Sequence, residues 1–157
     1  MARALLVGCG CRGRALGARL AGEGWAVRGT SRGASLEAIS AAGIEAAEAD
    51  PDRLGTITDL IGDVTVLVWL LGAAGGNPAL NGERLESLLE KLVDSPVRGL
   101  LYEARGSAGA DALEGGAAMV EGWGERFRIP VAVLRADPGD HEAWVEEALG
   151  AVLGLLS

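Results

Sequence analysis

The 157-residue chain has few of the residues that build metal centres and disulfide frameworks. It contains two cysteines, Cys9 and Cys11, and one histidine, His141. A structural zinc site needs four nitrogen or sulfur ligands, so the composition argues against that class of site. A disulfide across one intervening residue would be strained. We therefore expect both cysteines to be small fillers of a tight loop; the alternative is a reactive thiol activated by a helix N-terminus.

The sequence also lacks a long apolar run and an excess of positive charge. Residues 64–82 form the longest uncharged stretch, but glycine, asparagine and proline interrupt it, which argues against a membrane span. Residues 6–9 spell a lipoprotein cleavage box, yet the apolar segment before it is too short for a signal peptide. The formal net charge of −8 disfavours nucleic acids and anionic membranes as partners. We expect a cytoplasmic protein, and its arginine-rich, lysine-poor composition is typical of GC-rich bacterial genomes.

Apolar runs alternate with amphipathic stretches along the whole chain, at the length of one domain. We predict strands at residues 4–7, 25–30, 44–49, 64–71, 100–104 and 131–134. We predict helices at residues 14–22, 35–42, 54–61, 81–93 (capped by Asn81), 110–127 and 142–156. This alternation predicts an α/β fold, a single doubly wound parallel sheet with helices on both faces. Six strands favour the Rossmann order 3-2-1-4-5-6, in one domain covering residues 1–157.

A glycine-rich segment joins the first predicted strand to the first predicted helix. Gly8, Gly10 and Gly13 have the spacing G-x-G-x-x-G in the context that a dinucleotide site requires. Gly8 would make the tight turn, Gly10 would admit the pyrophosphate, and Gly13 would let the helix pack closely. The backbone N–H groups at the helix start, around Cys11 and Arg12, would hold the phosphates. The alternative is a glycine-rich turn without a ligand, since the chain has 25 glycines.

The end of the second predicted strand predicts which dinucleotide binds. An Asp or Glu at that point accepts hydrogen bonds from the ribose hydroxyls of NAD. This chain has Thr30, Ser31 and Arg32 instead, which offer two hydroxyls and a guanidinium to a 2′-phosphate. The sequence therefore favours NADP(H) over NAD(H). The alternative is that Arg32 is only a solvated surface residue.

Two further segments complete the predicted cofactor site. Asp50 ends the third predicted strand and is placed to meet the adenine amino group. Residues 71–75, beginning with Leu71 and Gly72, follow the fourth strand. We predict that they line the path to the nicotinamide.

Four segments of the chain carry a family resemblance. "LLVGCGCRGRALGARLAGEGWAVRGTSR", "EAAEADP", "VTVLVWLLG" and "RIPVAVLRADPGD" resemble the extended and atypical short-chain dehydrogenase/reductases, which include NAD(P)-dependent epimerase/dehydratase-like proteins. The resemblance covers most of the chain, and its first segment is the most specific. It implies a Rossmann fold and a bound dinucleotide, with NADP implied by the Thr-Ser-Arg ending.

The chain departs from this family where the family does its chemistry. Active members use a Tyr and a Lys four residues later, at positions that fall near Leu113 and Ala117 here. Tyr102 and Lys91 are the only tyrosine and lysine, in the wrong order for that pair, and we predict Tyr102 to be a core residue. Residues 135–157 have room for one loop and one helix, so we expect no separate substrate domain.

Other polar residues are weaker candidates, and we assign no catalytic residue. Glu103 and Arg105 lie near the carboxyl end of the fifth predicted strand, where open α/β sheets bind ligands. Ser107 matches the family's strand-five serine, but without the tyrosine that normally accompanies it. Residues 137–142, with Asp137, Asp140, His141 and Glu142, are expected to form a solvated loop that caps the last helix.

These observations favour an NADP(H)-binding Rossmann protein without the family's usual catalysis. It would act as a redox-state sensor, a regulatory binding module or one subunit of an assembly, leaving open a homodimer or a partner protein. One alternative is an NADP-dependent oxidoreductase that uses another proton donor or none. The other is an interaction protein whose nucleotide site is vestigial.

Overall fold

The computed structural model describes residues 2–72 and 78–157, and its strands within those ranges pair in parallel. The order is β3-β2-β1-β4-β5-β6, which confirms the predicted sheet. In register, Leu5 of the first strand lies opposite Arg28 of the second and Leu67 of the fourth. The strands are β1 Arg3–Val7, β2 Ala26–Ser31, β3 Glu45–Glu48, β4 Val66–Trp69, β5 Gly99–Glu103 and β6 Val131–Leu134.

Helices connect the strands and cover both faces of the sheet. They are α1 Cys11–Gly22, α2 Leu36–Ala41, α3 Leu54–Thr58, α4 Glu83–Leu92, α5 Ala110–Phe127 and α6 His141–Gly154, with a short 3₁₀ helix at Pro78–Asn81. The first helix begins at Cys11, three residues before its predicted start at residue 14. Across residues 2–72 and 78–157, no helix has the length and apolar character needed to cross a bilayer.

The predicted cap of α4 is wrong. Gly82, not Asn81, is the N-cap residue. Asn81 lies in the 3₁₀ helix, and its Oδ1 accepts a hydrogen bond from the Tyr102 hydroxyl at 2.7 Å. The Asn81 side chain therefore bonds to β5 and does not cap α4.

The core lies in two layers because successive side chains of a strand point to opposite faces of the sheet. Leu5 and Val7 of β1 pack with α3, α4 and α5, whereas Leu6 packs with α1, α2 and α6. All four residues of β4 are buried, which explains why this segment is apolar at every position.

Two glycines admit close packing that the glycine motif does not reveal. A Cβ on Gly17 would lie 2.8 Å from Ile44 Cδ1 and 3.1 Å from Leu6 Cδ1, so α1 makes its tightest approach to the sheet there. The corresponding distance at Gly13 is 3.3 Å, to Leu70 Cδ1. The close helix packing expected at Gly13 is thus tighter one turn further along.

Gly116 of α5 makes the second close approach, to the buried side chain of Tyr102. Tyr102 is fully buried, as predicted for a core residue. A Cβ on Gly116 would lie only 2.1 Å from the Tyr102 hydroxyl oxygen. Because the Tyr102 hydroxyl donates a hydrogen bond to Asn81, moving the ring away from Gly116 would break that buried hydrogen bond.

Two neighbouring glycines of α5 test this packing. We expect Gly116→Ala to lower the free energy of unfolding by about 1–3 kcal/mol, because the added methyl overpacks the core. Gly115→Ala should instead raise it by up to about 1 kcal/mol, since a Cβ there meets no atom within 4 Å and alanine favours helix. Urea unfolding of both variants measures the difference. Equal stability of the two would contradict the Tyr102 packing.

Candidate functional site

The turn between β1 and α1 lies at the carboxyl edge of the sheet, fastened to the end of β2. Gly8 has φ of +86°, and a Cβ on it would lie 2.6 Å from the Leu70 carbonyl oxygen. Its N–H donates to Thr30 Oγ1 at 3.4 Å, and the N–H of Cys9 donates to the Thr30 carbonyl at 3.1 Å. The tight turn predicted at Gly8 is present, and Thr30 holds it.

The start of α1 is open in front of Gly10. Gly10 is the N-cap residue, without a side-chain cap, and a Cβ on it would meet no protein atom within 4 Å. Among the described residues, the N–H groups of Cys11, Arg12 and Gly13 have no hydrogen-bond acceptor. Unpartnered N–H groups at a helix start attract anions, because the helix dipole adds partial positive charge there.

A cavity of about 480 Å³ extends from this turn across the carboxyl ends of β2, β3 and β4. It brings together seven of the residues predicted from the sequence, which are Gly8, Gly10, Thr30, Ser31, Arg32, Asp50 and Leu71. Ser35 and Asp52 also line it and were not predicted. Only their position a few residues after Ser31 and Asp50 in the sequence could have indicated them.

The three residues around the end of β2, Thr30, Ser31 and Arg32, have different surroundings. Thr30 is 2% exposed, and its hydroxyl is directed at the Gly8 N–H. The Ser31 hydroxyl accepts hydrogen bonds from the N–H groups of Gly33 at 3.2 Å and Ser35 at 3.1 Å. It keeps its own proton for a further acceptor. The Arg32 side chain is exposed and has neither hydrogen bond nor ion pair to any residue in the described ranges.

Two aspartates form the far wall of this cavity. Asp50 Oδ1 accepts the N–H of Asp52 at 2.9 Å, and the Asp50 N–H donates to Thr56 Oγ1 at 2.9 Å. Asp52 Oδ1 in turn accepts from Arg84 Nε at 3.1 Å. Asp50 therefore lies at the cavity wall, in a backbone turn that its own carboxylate helps to fix.

A second cavity, of about 190 Å³, lies on the other side of the glycine turn. Gly8 and Gly10 line both cavities, so the turn stands between them. The second cavity is also lined by Cys11, Arg12, Gly13, Leu70, Glu103 and Trp144. Trp144 lies in α6 and was not among the predicted site residues.

Glu103 is a buried carboxylate at the end of β5, 2% exposed. Its Oε1 accepts the Gly72 N–H at 2.9 Å, and its Oε2 accepts the Trp144 indole N–H at 3.2 Å. The pKa of Glu103 is raised above its ordinary value, because burial outweighs the opposing effects of the Gly72 hydrogen bond, the Arg12 charge and the Trp144 hydrogen bond. The Gly72 backbone, predicted to line the nicotinamide path, is tied to Glu103. Residues 73–75 of that prediction lie outside the described residues.

The two cysteines occupy different environments. Cys9 is 3% exposed and packs against Gly29, where a Cβ would lie 2.7 Å from its Sγ. Burial raises the pKa of the Cys9 thiol to about 11, so it stays protonated at neutral pH. This fits the filler role expected of Cys9. Cys11 is exposed and opens α1 beside the second cavity.

The positions expected for the family's Tyr–Lys pair hold buried apolar residues. Leu113 is 1% exposed and Ala117 is fully buried. The Tyr102 hydroxyl is bonded to Asn81, and burial raises its pKa above the ordinary value. Leu113 and Ala117 therefore have no proton to donate, and the Tyr102 hydroxyl does not line either cavity.

The loop after β6 caps α6, as predicted. The Asp140 side chain is the N-cap and accepts the Ala143 N–H at 3.2 Å. Asp137 lies 3.8 Å from the Arg105 guanidinium in an exposed ion pair. Within residues 2–72 and 78–157, no three His, Cys, Asp or Glu side chains group as metal ligands would.

Comparison with known proteins gives structural likeness only. No family model matches the chain, and no curated protein matches its sequence. BdcA (YjgI) from E. coli has a TM-score of 0.73 at 18% identity, over 94% of this chain and 88% of that one. UDP-glucose 4-epimerase from Thermotoga maritima has a TM-score of 0.72 at 14% identity, over 85% of this chain and 54% of that one.

A short-chain dehydrogenase/reductase superfamily protein from Agrobacterium tumefaciens, with bound NAD, gives a TM-score of 0.69. The two chains are 21% identical, and the match covers 85% of this chain and 48% of that one. The chain spans about half the length of this superfamily protein and of the epimerase. At such identities the comparisons establish the architecture: the chain has the Rossmann fold of the short-chain dehydrogenase/reductase and epimerase structures.

Proposed function

We propose that the protein binds NADP(H) and does not carry out the usual chemistry of the family it resembles. It would serve as a redox-state sensor or a regulatory binding module. The observation that carries this proposal is the open start of α1. The N–H groups of Cys11, Arg12 and Gly13 have no acceptor among the described residues, and these three residues line the second cavity behind the capping Gly10. One of the structures with the same fold holds NAD, which supports a dinucleotide as the ligand class.

The 2′-phosphate of NADP(H) fits the side chains at the end of β2. A carboxylate at this point would accept from ribose hydroxyls and repel a phosphate. Ser31 has a hydroxyl proton to donate, and Arg32 has a guanidinium with no partner among the described residues. Both line the larger cavity, so a phosphate there would receive charge-assisted hydrogen bonds.

The absence of the usual catalysis rests on the surroundings of the candidate acids. Reducing a carbonyl requires a proton at the developing alkoxide. Tyr102 is fully buried and its hydroxyl is engaged with Asn81. Both carboxylate oxygens of Glu103 accept hydrogen bonds from protein N–H groups, so this group anchors structure instead of offering a proton.

The first prediction from this proposal concerns cofactor choice. NADPH should bind more tightly than NADH by about 1.5–3 kcal/mol, because Arg32 would pair with the 2′-phosphate. Calorimetric titration of both cofactors measures this preference. Arg32→Ala should abolish it, whereas Arg98→Ala, an exposed arginine before β5, should leave it intact. Equal affinities in the wild type, or a preference that survives Arg32→Ala, would refute the assignment.

The second prediction concerns Gly10. Gly10→Val should abolish dinucleotide binding and leave the circular dichroism spectrum nearly unchanged, because its Cβ meets no protein atom but would occupy the phosphate position. Gly22→Val is the matched control, since a Cβ there also meets nothing within 4 Å and lies at the far end of α1. Normal binding by Gly10→Val would reduce the loop to a turn.

The third prediction concerns turnover. Purified protein with NADPH should not reduce, epimerise or dehydrate small carbonyl compounds or nucleotide sugars, as followed by NADPH absorbance and product chromatography. Turnover near 1 s⁻¹, the low end of typical enzymes, would contradict the proposal if His141→Ala or Tyr102→Phe removed it. That result would identify the proton donor and make the protein an oxidoreductase.

A further inference from the structure

The guanidinium of Arg12 is held in place without a hydrogen bond. It lies over the Trp144 ring, with Cζ 5.4 Å from the ring centroid. Its Nη2 is 4.0 Å from Glu103 Oε2, an ion pair too long for a hydrogen bond. Its Nε is buried and has no acceptor in the described part of the chain. A buried donor without an acceptor lowers the stability of the fold. This arrangement therefore suits an Arg12 guanidinium that pairs with a bound ligand.

Glu103 is the acidic group next to that guanidinium. Its two oxygens are held by the Gly72 N–H and the Trp144 indole N–H, which come from the end of β4 and from α6. A buried carboxylate needs a nearby cation, and Arg12 is the only cation that lines the second cavity among the described residues. Trp144 contributes twice, because it donates to Glu103 and carries the guanidinium on its ring.

Arg12 is also the second residue of α1, next to the unpartnered N–H groups behind Gly10. We propose that Glu103 is a positioning residue of the dinucleotide site, which holds the Arg12 guanidinium over Trp144 so that it receives the pyrophosphate. This inference rests on the proposed function. It adds a charged clamp, built from β5 and α6, to the backbone N–H groups of the glycine turn.

The sign of a charge-neutralising variant separates this role from its opposite. If Glu103 only competed with the ligand for Arg12, removing its charge would tighten anion binding. If it positions Arg12, removing its charge releases the guanidinium and weakens binding. Glu103→Gln keeps the size of the side chain and an oxygen for the Gly72 N–H. Its NH2 group then faces the Trp144 indole N–H, so the variant removes the charge together with that one hydrogen bond.

The experiment compares NADPH with 2′-AMP, which has the 2′-phosphate but no pyrophosphate. We expect Glu103→Gln and Arg12→Gln each to raise the NADPH dissociation constant about tenfold, the loss of one charge-assisted interaction. Both variants should bind 2′-AMP as the wild type does. Glu147→Gln, an exposed carboxamide substitution on α6, should change neither ligand. Arg12→Gln removes no hydrogen bond between described residues, so it tests the clamp even if Glu103→Gln folds poorly.

The double variant completes the test. In an Arg12→Gln background, Glu103→Gln should cost no further NADPH affinity, because the two residues act as one unit. Unchanged or tighter NADPH binding by Glu103→Gln would overturn the proposal, as would an equal loss for NADPH and 2′-AMP, which indicates general damage. A wild type that binds neither ligand would refute the proposed function itself, whereas normal NADPH binding by Arg12→Gln would refute only this inference.

Discussion

The backbone turn at Gly8 is the constraint on which the site depends. Its positive φ turns the chain at the end of β1, and a Cβ on it would lie 2.6 Å from the Leu70 carbonyl oxygen. Only a residue without a Cβ allows the ends of β1 and β4 to approach so closely. That approach places the start of α1 between two cavities, one above β2 and β3 and one beside β5 and α6. Thr30 then fastens the turn to the neighbouring strand.

Periodicity and turn residues were enough to predict the order of the strands and most element positions. The bounds of α5 and β6 agree with the prediction because Arg128, in the left-handed conformation, and Pro130 end one element and introduce the next. The cap of α4 was wrong for a reason that no local pattern contains. An asparagine before a helix is a typical cap, but Asn81 is engaged by Tyr102, 21 residues away.

The candidate site divides in the same way. Glycine spacing and the residues after β2 are local signals, and the residues they predict lie together around the larger cavity. The cluster of Arg12, Glu103 and Trp144 joins α1, β5 and α6. Arg12 and Trp144 are 132 positions apart in the sequence, and only the fold brings them together. The sequence around Trp144 indicates only a core residue. The hydrogen-bond partner of its indole N–H, Glu103, is distant in the sequence and becomes a neighbour only in the folded chain.

The acidic charge of the chain and an anionic ligand are compatible because they act over different distances. At physiological ionic strength, exposed charges more than about 8 Å apart are largely screened. A nucleic acid spread over the surface would meet many of the carboxylates that make up the net charge of −8. A dinucleotide in the groove would instead meet the helix start, Arg12 and Arg32 at short range. The nearby acids are already engaged, Asp52 by Arg84 and Glu103 by Gly72 and Trp144. Local positive charge would therefore allow a small anion to bind to a chain whose net charge is negative.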